Sequence, residues 1–310
     1  MPEILHKQAD LLISGKQHNE KKRLRVLLTG ANGQLGNELT ERLSGSDGVE
    51  VVSTDREDLD ITDSAAVCRF LGAGDFDYVV NCAAYTAVDK AENDVELCRR
   101  INVDGVVNIV KAIENNKTRL IHISTDFVFD GASCIAYVEE DETHPLNVYG
   151  ATKREGERAV LSSASDFMII RTGWLYSSYG HNFVKTILRN ALAGKALRVV
   201  NDQRGTPTYA YDLAEVIAEI ISADRWQKGL YHYSNEGDTT WYDFACEIVR
   251  QRVPGAKIEP CSSEEYAGQA ERPRFSVLDK TKIRDRLGIS IRSWRESLTS
   301  CLKKIDINKL

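Results

Sequence analysis

The sequence predicts an α/β fold in which a doubly wound parallel sheet carries a smaller mixed α/β lobe. Three observations carry this expectation: short apolar runs alternate with helical periodicity through the first half of the chain, a glycine-rich turn follows the first run, and the rhythm loosens beyond Trp174. Runs this continuous in apolar residues leave no wet face, so helices must cover both sides of the sheet.

At 310 residues the chain suits one large domain with a smaller lobe. Its 42% apolar and 28% charged residues exclude extensive disorder. A formal charge of -6 with no block of one sign argues against a nucleic-acid or anionic-membrane surface, so any anionic ligand must be held by a local cluster of donors. Cys68, Cys82, Cys98, Cys134, Cys246, Cys261 and Cys301 make no CxxC pair and the histidines no zinc motif, which predicts a reducing, cytoplasmic setting without a structural metal. No apolar run is long enough to cross a membrane, and Glu3 and Asp10 argue against a secretory signal.

Residues 1–24 read as an N-terminal extension without chemistry. The first strand begins at Arg25 in RVLLTG, followed by the loop ANGQLG and the helix NELTERL, the opening of a βαβ unit. Further strands are expected at Val49–Asp55, Asp77–Ala84, Leu120–Thr125 and Phe167–Trp174. Residues 25–172 form the expected dinucleotide-binding domain, of the Rossmann type, with a segment around 205–225 returning to it. Residues 173–204 and 226–310 form the expected substrate lobe.

Gly30, Gly33 and Gly36 follow a strand and open a helix. The first permits a tight turn, the second a close approach of backbone to a pyrophosphate, and the third close helix packing, while the helix N-terminus supplies partial positive charge. Gln34 and Leu35 belong to the same turn. Asp55, 19 residues past Gly36, stands where a carboxylate meets a ribose hydroxyl, and Asp60 and Ile61 suit an adenine edge and face. Asp55 favours NADH, but Arg56 can pair with the 2'-phosphate of NADPH, so the choice between the two cofactors stays open.

Tyr149 and Lys153 are four residues apart and share a helix face. An ammonium beside a phenol is expected to lower the phenol's pKa and ease proton transfer. Lysine can also bind the cofactor ribose. Ser124 and Thr125 end a predicted strand at the sheet edge where such folds keep ligands, and the hydroxyl of Thr125, or of Ser124, can hold a substrate carbonyl against Tyr149.

These residues resemble the extended short-chain dehydrogenases, marked by T-G-x-x-G-x-x-G and a Ser/Thr, Tyr and Lys triad. The chain is more closely similar to the dTDP-4-dehydrorhamnose reductase family, through NCAAYTAVDKAE, INVDG, STDFVFDG, PLNVYGATKREGE, RTGWLY, HNFVKTIL, NDQRGTPTY, GLYHYSNEG and ERPRFSVLD in order. The resemblance implies a triad of Thr125, Tyr149 and Lys153, with Ala83, Ala84 and Tyr85 on the nicotinamide side. It implies reduction of the C4 ketone of dTDP-4-dehydro-L-rhamnose. Thr125, Asp126, Trp174, Asn182 and Gln203 would then face the sugar, and Arg204, Arg272 and Arg274 the diphosphate. Some family members bind magnesium at a dimer contact, and Glu38 stands at one such position, so metal dependence and the choice between monomer and homodimer stay open. Two other readings remain. One is a noncatalytic NADP-binding subunit like the regulatory chain of methionine adenosyltransferase; the other is an epimerase or dehydratase, the latter weakened because Phe127 and not a glutamate follows Asp126.

Overall fold

A computed structural model describes residues 23–163, 165–266 and 268–310. Residues 1–22 of the expected extension lie outside the described residues, and Leu24 already belongs to the first strand.

The chain opens with β1 (Leu24–Thr29), α1 (Gln34–Ser44), β2 (Val49–Thr54), α2 (Ser64–Gly74) and β3 (Tyr78–Asn81). Two short helices, α3 (Val88–Ala91) and α4 (Val95–Arg99), lead through a π-helical turn into α5 (Gly105–Ile113). Next come β4 (Arg119–Thr125), α6 (Val148–Leu161) and β5 (Asp166–Thr172). The remainder contains β6 (Leu175–Tyr176), α7 (Phe183–Leu192), β7 (Leu197–Val200), β8 (Arg204–Gly205), β9 (Thr208–Tyr209), α8 (Ala210–Ser222) and β10 (Gly229–His232). It ends with β11 (Thr239–Thr240), α9 (Trp241–Arg252), β12 (Ile258–Cys261), α10 (Thr281–Leu287) and α11 (Trp294–Lys304).

Six parallel strands form one sheet in the order β10-β5-β4-β3-β1-β2. The chain reverses its direction of travel across the sheet between β1 and β3. That switch point leaves a crevice beyond the carboxyl ends of the two strands. Leu28, Leu39, Leu213 and Ile217 pack one face beneath α1 and α8, and Leu27, Val67, Ile109 and Val160 pack the other beneath α2, α5 and α6. Both faces are dry, which is the reason the strands read as unbroken apolar runs.

The sixth strand corrects the expected lobe boundary. Gly229–His232 pairs with β5, and Ile283 and Leu287 of α10 join the sheet's core, although residues 226–310 were all expected in the lobe. GLYH is too short and too rich in glycine and polar residues to signal a buried strand by itself. The lobe has its own core around Tyr176, Leu188, Phe244, Trp294 and Leu298. Two expected strands also stop early, at Asn81 and Thr172, so that Cys82–Ala84 and Gly173–Trp174 turn over the sheet edge.

Candidate active site

The crevice at the switch point opens into a cavity of about 740 Å³ running from the glycine loop to the second lobe. Gly30 adopts φ +67, and a Cβ there would lie 2.7 Å from the backbone nitrogen of Ala83. A Cβ on Gly36 would lie 2.2 Å from the carbonyl oxygen of Gly30, so only glycine lets α1 start this close to its own loop. Gly33 is the N-cap of α1 and gives the helix no side-chain cap, which leaves first-turn N–H groups for an anion. Gln34 Oε1 and Ser124 Oγ are buried in the cavity wall and find no hydrogen-bond partner among the described residues. A glycine cradle, an uncapped helix start and orphaned polar atoms fit a dinucleotide.

Gly30, Gly33, Gln34, Leu35, Gly36, Asp55, Arg56, Asp60, Ile61, Ala83 and Ala84 all line this cavity. Asp55 also braces the loop, accepting hydrogen bonds from the backbone N–H of Asn32 at 2.9 Å and of Arg56 at 2.7 Å. Arg56 lies 3.7 Å from Asp60, and Arg100, which sequence reading missed, lines the same end. Tyr85 is the exception. It is not part of the lining, although Thr86 and Val88 after it are; its N–H donates to Asn102 and its hydroxyl to Asp94.

At the other end Thr125, Tyr149 and Lys153 converge with Ser124, Asp126 and Phe127. Asn147 starts α6 by accepting a hydrogen bond from the N–H of Gly150, which sets Tyr149 in the first turn. Phe127 meets the Tyr149 ring edge-on at 5.9 Å. Thr125 donates to Asp126 at 3.1 Å. Lys153 donates to the carbonyl of Ile123 at 2.7 Å.

The expected electrostatics of the pair are corrected here. Burial pushes the Tyr149 phenol up to about 12, the Thr125 hydroxyl only partly offsetting it, and Lys153 is not among the groups acting on it. The ammonium is held against Ile123, and burial pulls its own pKa down to about 8. The phenol thus stays protonated at working pH, the form a proton donor needs. Burial likewise raises Asp126 to about 6, against hydrogen bonds from Ser276 and Thr125.

In the lobe, Trp174 lines the cavity and lies flat on Trp241, 3.5 Å between ring centroids. Trp174 is a non-glycine residue at φ +50, a strained conformation held by the Thr208 N–H bond to its carbonyl. Asn182 lines the cavity too, but its side chain caps α7 and donates to the carbonyls of Ser177 and Tyr179.

Four expected substrate ligands lie outside the lining. Gln203 donates to Ser263 at 3.0 Å, Arg272 pairs with Asp89 at 2.6 Å, Arg274 lies 3.7 Å from Glu264, and Arg204 pairs with Asp238. Each has found a polar partner on a segment distant in sequence or in a neighbouring loop, a competition that sequence cannot display. Glu38 of α1 is buried and accepts a hydrogen bond from Ser177. Trp241 was missed because its only signal, an aromatic residue in the first turn of a helix, is that of ordinary core.

The family model described as RmlD substrate binding domain matches residues 24–307. The chain is 39% identical over 284 residues to a dTDP-4-dehydrorhamnose reductase of Aggregatibacter actinomycetemcomitans, covering 88% of this chain and 97% of that one. A solved dTDP-4-dehydrorhamnose reductase from Clostridium acetobutylicum superposes with TM-score 0.86 at 41% identity, covering 90% of this chain and 99% of that one. Another, from Bacillus anthracis in complex with NADP, gives TM-score 0.87 at 36% identity over 91% and 99% of the two chains. With the glycine cradle, the triad and the lobe all present, the chain belongs to the RmlD family, that of the dTDP-4-dehydrorhamnose reductases.

Proposed function

We infer that this chain is an NADPH-dependent reductase that converts the C4 ketone of dTDP-4-dehydro-L-rhamnose to the alcohol of dTDP-L-rhamnose. The observation that carries the reading is the convergence of Thr125, Tyr149 and Lys153 on the cavity that begins at the glycine loop. When bound, the cofactor supplies the hydride.

The chain's own residues do the rest. Backbone N–H groups at the start of α1 receive the pyrophosphate, and Arg56 and Arg100 stand beside Asp60 where they meet a 2'-phosphate. Ala83 and Ala84 give the nicotinamide a flat apolar floor, and Ser124 Oγ offers it or the substrate a buried hydrogen bond. Thr125 orients the ketone oxygen, and the protonated Tyr149 delivers its proton to that oxygen as charge develops there. Lys153 holds the nicotinamide ribose. Trp174, stacked on Trp241, walls the sugar, with Asp126 and Asn182 beside it. The seven cysteines are all free, which suits work in a reducing cytoplasm.

The test is turnover of the 4-keto sugar nucleotide followed at the reduced-nicotinamide absorbance. Tyr149→Phe should cut kcat by about 10²–10⁴-fold, the usual contribution of a general acid, while NADPH affinity stays within about twofold because the phenol's loss leaves the cradle intact. An unimpaired Tyr149→Phe enzyme would remove the proton donor from the reading.

A further inference from the structure

Beyond Lys153 on the same face of α6, one turn on, stands Glu157. Its carboxylate is buried and gripped from both sides by Arg171 of β5, with Nε donating to Oε1 at 2.9 Å and Nη2 to Oε2 at 2.8 Å. The two side chains are 2% and 4% exposed. Arg171 is itself pinned: its Nη1 lies 3.4 Å from His232 Nε2 of β10, and its guanidinium lies over the Phe129 ring at 5.1 Å. A buried pair of this kind is poor value for stability, since apolar residues of the same volume often serve as well. Its place suggests another use.

Lys153 is as buried as the pair, and the hydrogen bond from its ammonium goes to a neutral carbonyl, that of Ile123. The ionisable groups acting on its charge are Glu157 one turn on along its own helix, Cys82 beyond β3, Cys98 of α4 and His122 of β4, with the Arg171 cation of β5 paired to Glu157. Burial raises Cys82 to about 12, raises Cys98 also, and pulls His122 well below its usual range, so in each of the three it favours the neutral form. Among the described residues acting on Lys153, Glu157 is the one that carries a carboxyl group.

We propose that Glu157 and Arg171 form a positioning pair for the catalytic lysine: Glu157 supplies the counter-charge that keeps Lys153 an ammonium inside the fold, and Arg171 holds that carboxylate at a fixed remove. Without Arg171's grip the carboxylate would be free to seize the ammonium and draw it from Ile123 and the cofactor. The inference rests on Lys153 serving the proposed reductase, and it adds the residues that set its charge. Neither Glu157 nor Arg171 lines the cavity, so they act through Lys153 and not on the substrate.

The sign is fixed by the geometry. Burial already opposes the ammonium, and Glu157 favours it, so loss of the carboxylate must lower the pH at which Lys153 loses its proton. The experiment is the pH profile of kcat/KM from pH 5.5 to 9.5 for the wild type, Glu157→Gln and Glu157→Asp, with melting temperatures alongside. In Glu157→Gln the fall in activity on the alkaline side should move down by roughly one pH unit. In Glu157→Asp, which keeps the charge but draws it back by one methylene, the shift should be smaller and of the same sign. Should Glu157→Gln fail to fold, the aspartate variant carries the comparison.

An alkaline limb that stays in place in the folded variants, whatever their melting temperatures, overturns the proposal and leaves the pair a structural one. A wild type that does not turn over the keto sugar would count against the reductase reading instead. The charge of Lys153 can then be followed without turnover, by NMR titration of its labelled side chain in wild type and variants, and equal titration midpoints there would also overturn the proposal.

Discussion

Burial acts on Tyr149, Lys153 and Asp126 alike, yet it moves their proton affinities in the directions their charges require. It raises the phenol to about 12 and the carboxyl to about 6, and lowers the amine to about 8. For Asp126 this has a consequence for stability. A carboxyl whose folded pKa lies above its unfolded value of 3.8 favours the folded state fully below that value, and the contribution is lost as pH rises through about 6. At pH 8 the protein therefore carries the cost of a buried carboxylate. Asp126→Asn removes the charge and should stabilise the fold at pH 8 by on the order of 1–3 kcal/mol, with the advantage vanishing toward pH 4. Thermal melts of both proteins across that range check it; a gap that does not change with pH would contradict the assignment. The four-residue spacing of Tyr149 and Lys153 was legible in the sequence as a shared helix face. The hydrogen bond from the amine to Ile123 was not, because that partner lies on β4, 30 residues back along the chain.

Two loops, one after β1 and one after β3, meet at the switch point, and their fit is a matter of single atoms: Gly30 leaves no space for a Cβ beside Ala83. The turn residues announced this in the sequence, since a strand, a glycine triplet and a helix are neighbours along the chain. The Trp174–Trp241 wall was not announced, because it joins the loop after β5 to the start of α9. Gly205 of β8 lies under it, where an added Cβ would come within 2.6 Å of the Trp174 ring. Gly205→Ala must therefore displace the indole, at a cost of about 1–3 kcal/mol typical of overpacking. The expected result is weaker binding of the sugar nucleotide with NADPH binding unchanged, measurable by calorimetric titration of each ligand separately. Equal affinities for the sugar nucleotide in the two proteins would show that the wall does not touch it.

The molecule as a whole is a sheet that offers one rim to ligands and a lobe that closes that rim. On the proposed reading NADPH would span the glycine loop and the Tyr149–Lys153 end of the cavity only in the folded state, so it should stabilise that state by about 2.7 kcal/mol at a concentration 100 times its Kd. NADH at the same concentration should raise the melting temperature less, since it lacks the 2'-phosphate that Arg56 and Arg100 are placed to meet. Equal shifts with the two cofactors would reassign those arginines to solvent. The sequence alone determined the alternation of strand and helix, the glycine cradle and the helix that carries Tyr149 and Lys153, because each is written in residues that are close along the chain. It also carried the family. Tertiary structure alone decided that Gly229–His232 completes the sheet, that Arg204, Arg272 and Arg274 are engaged by acidic neighbours and do not line the cavity, and that Glu157 is buried against Arg171. Those outcomes depend on which distant segments compete for the same charge or the same space, and that competition is settled only when the chain has closed on itself.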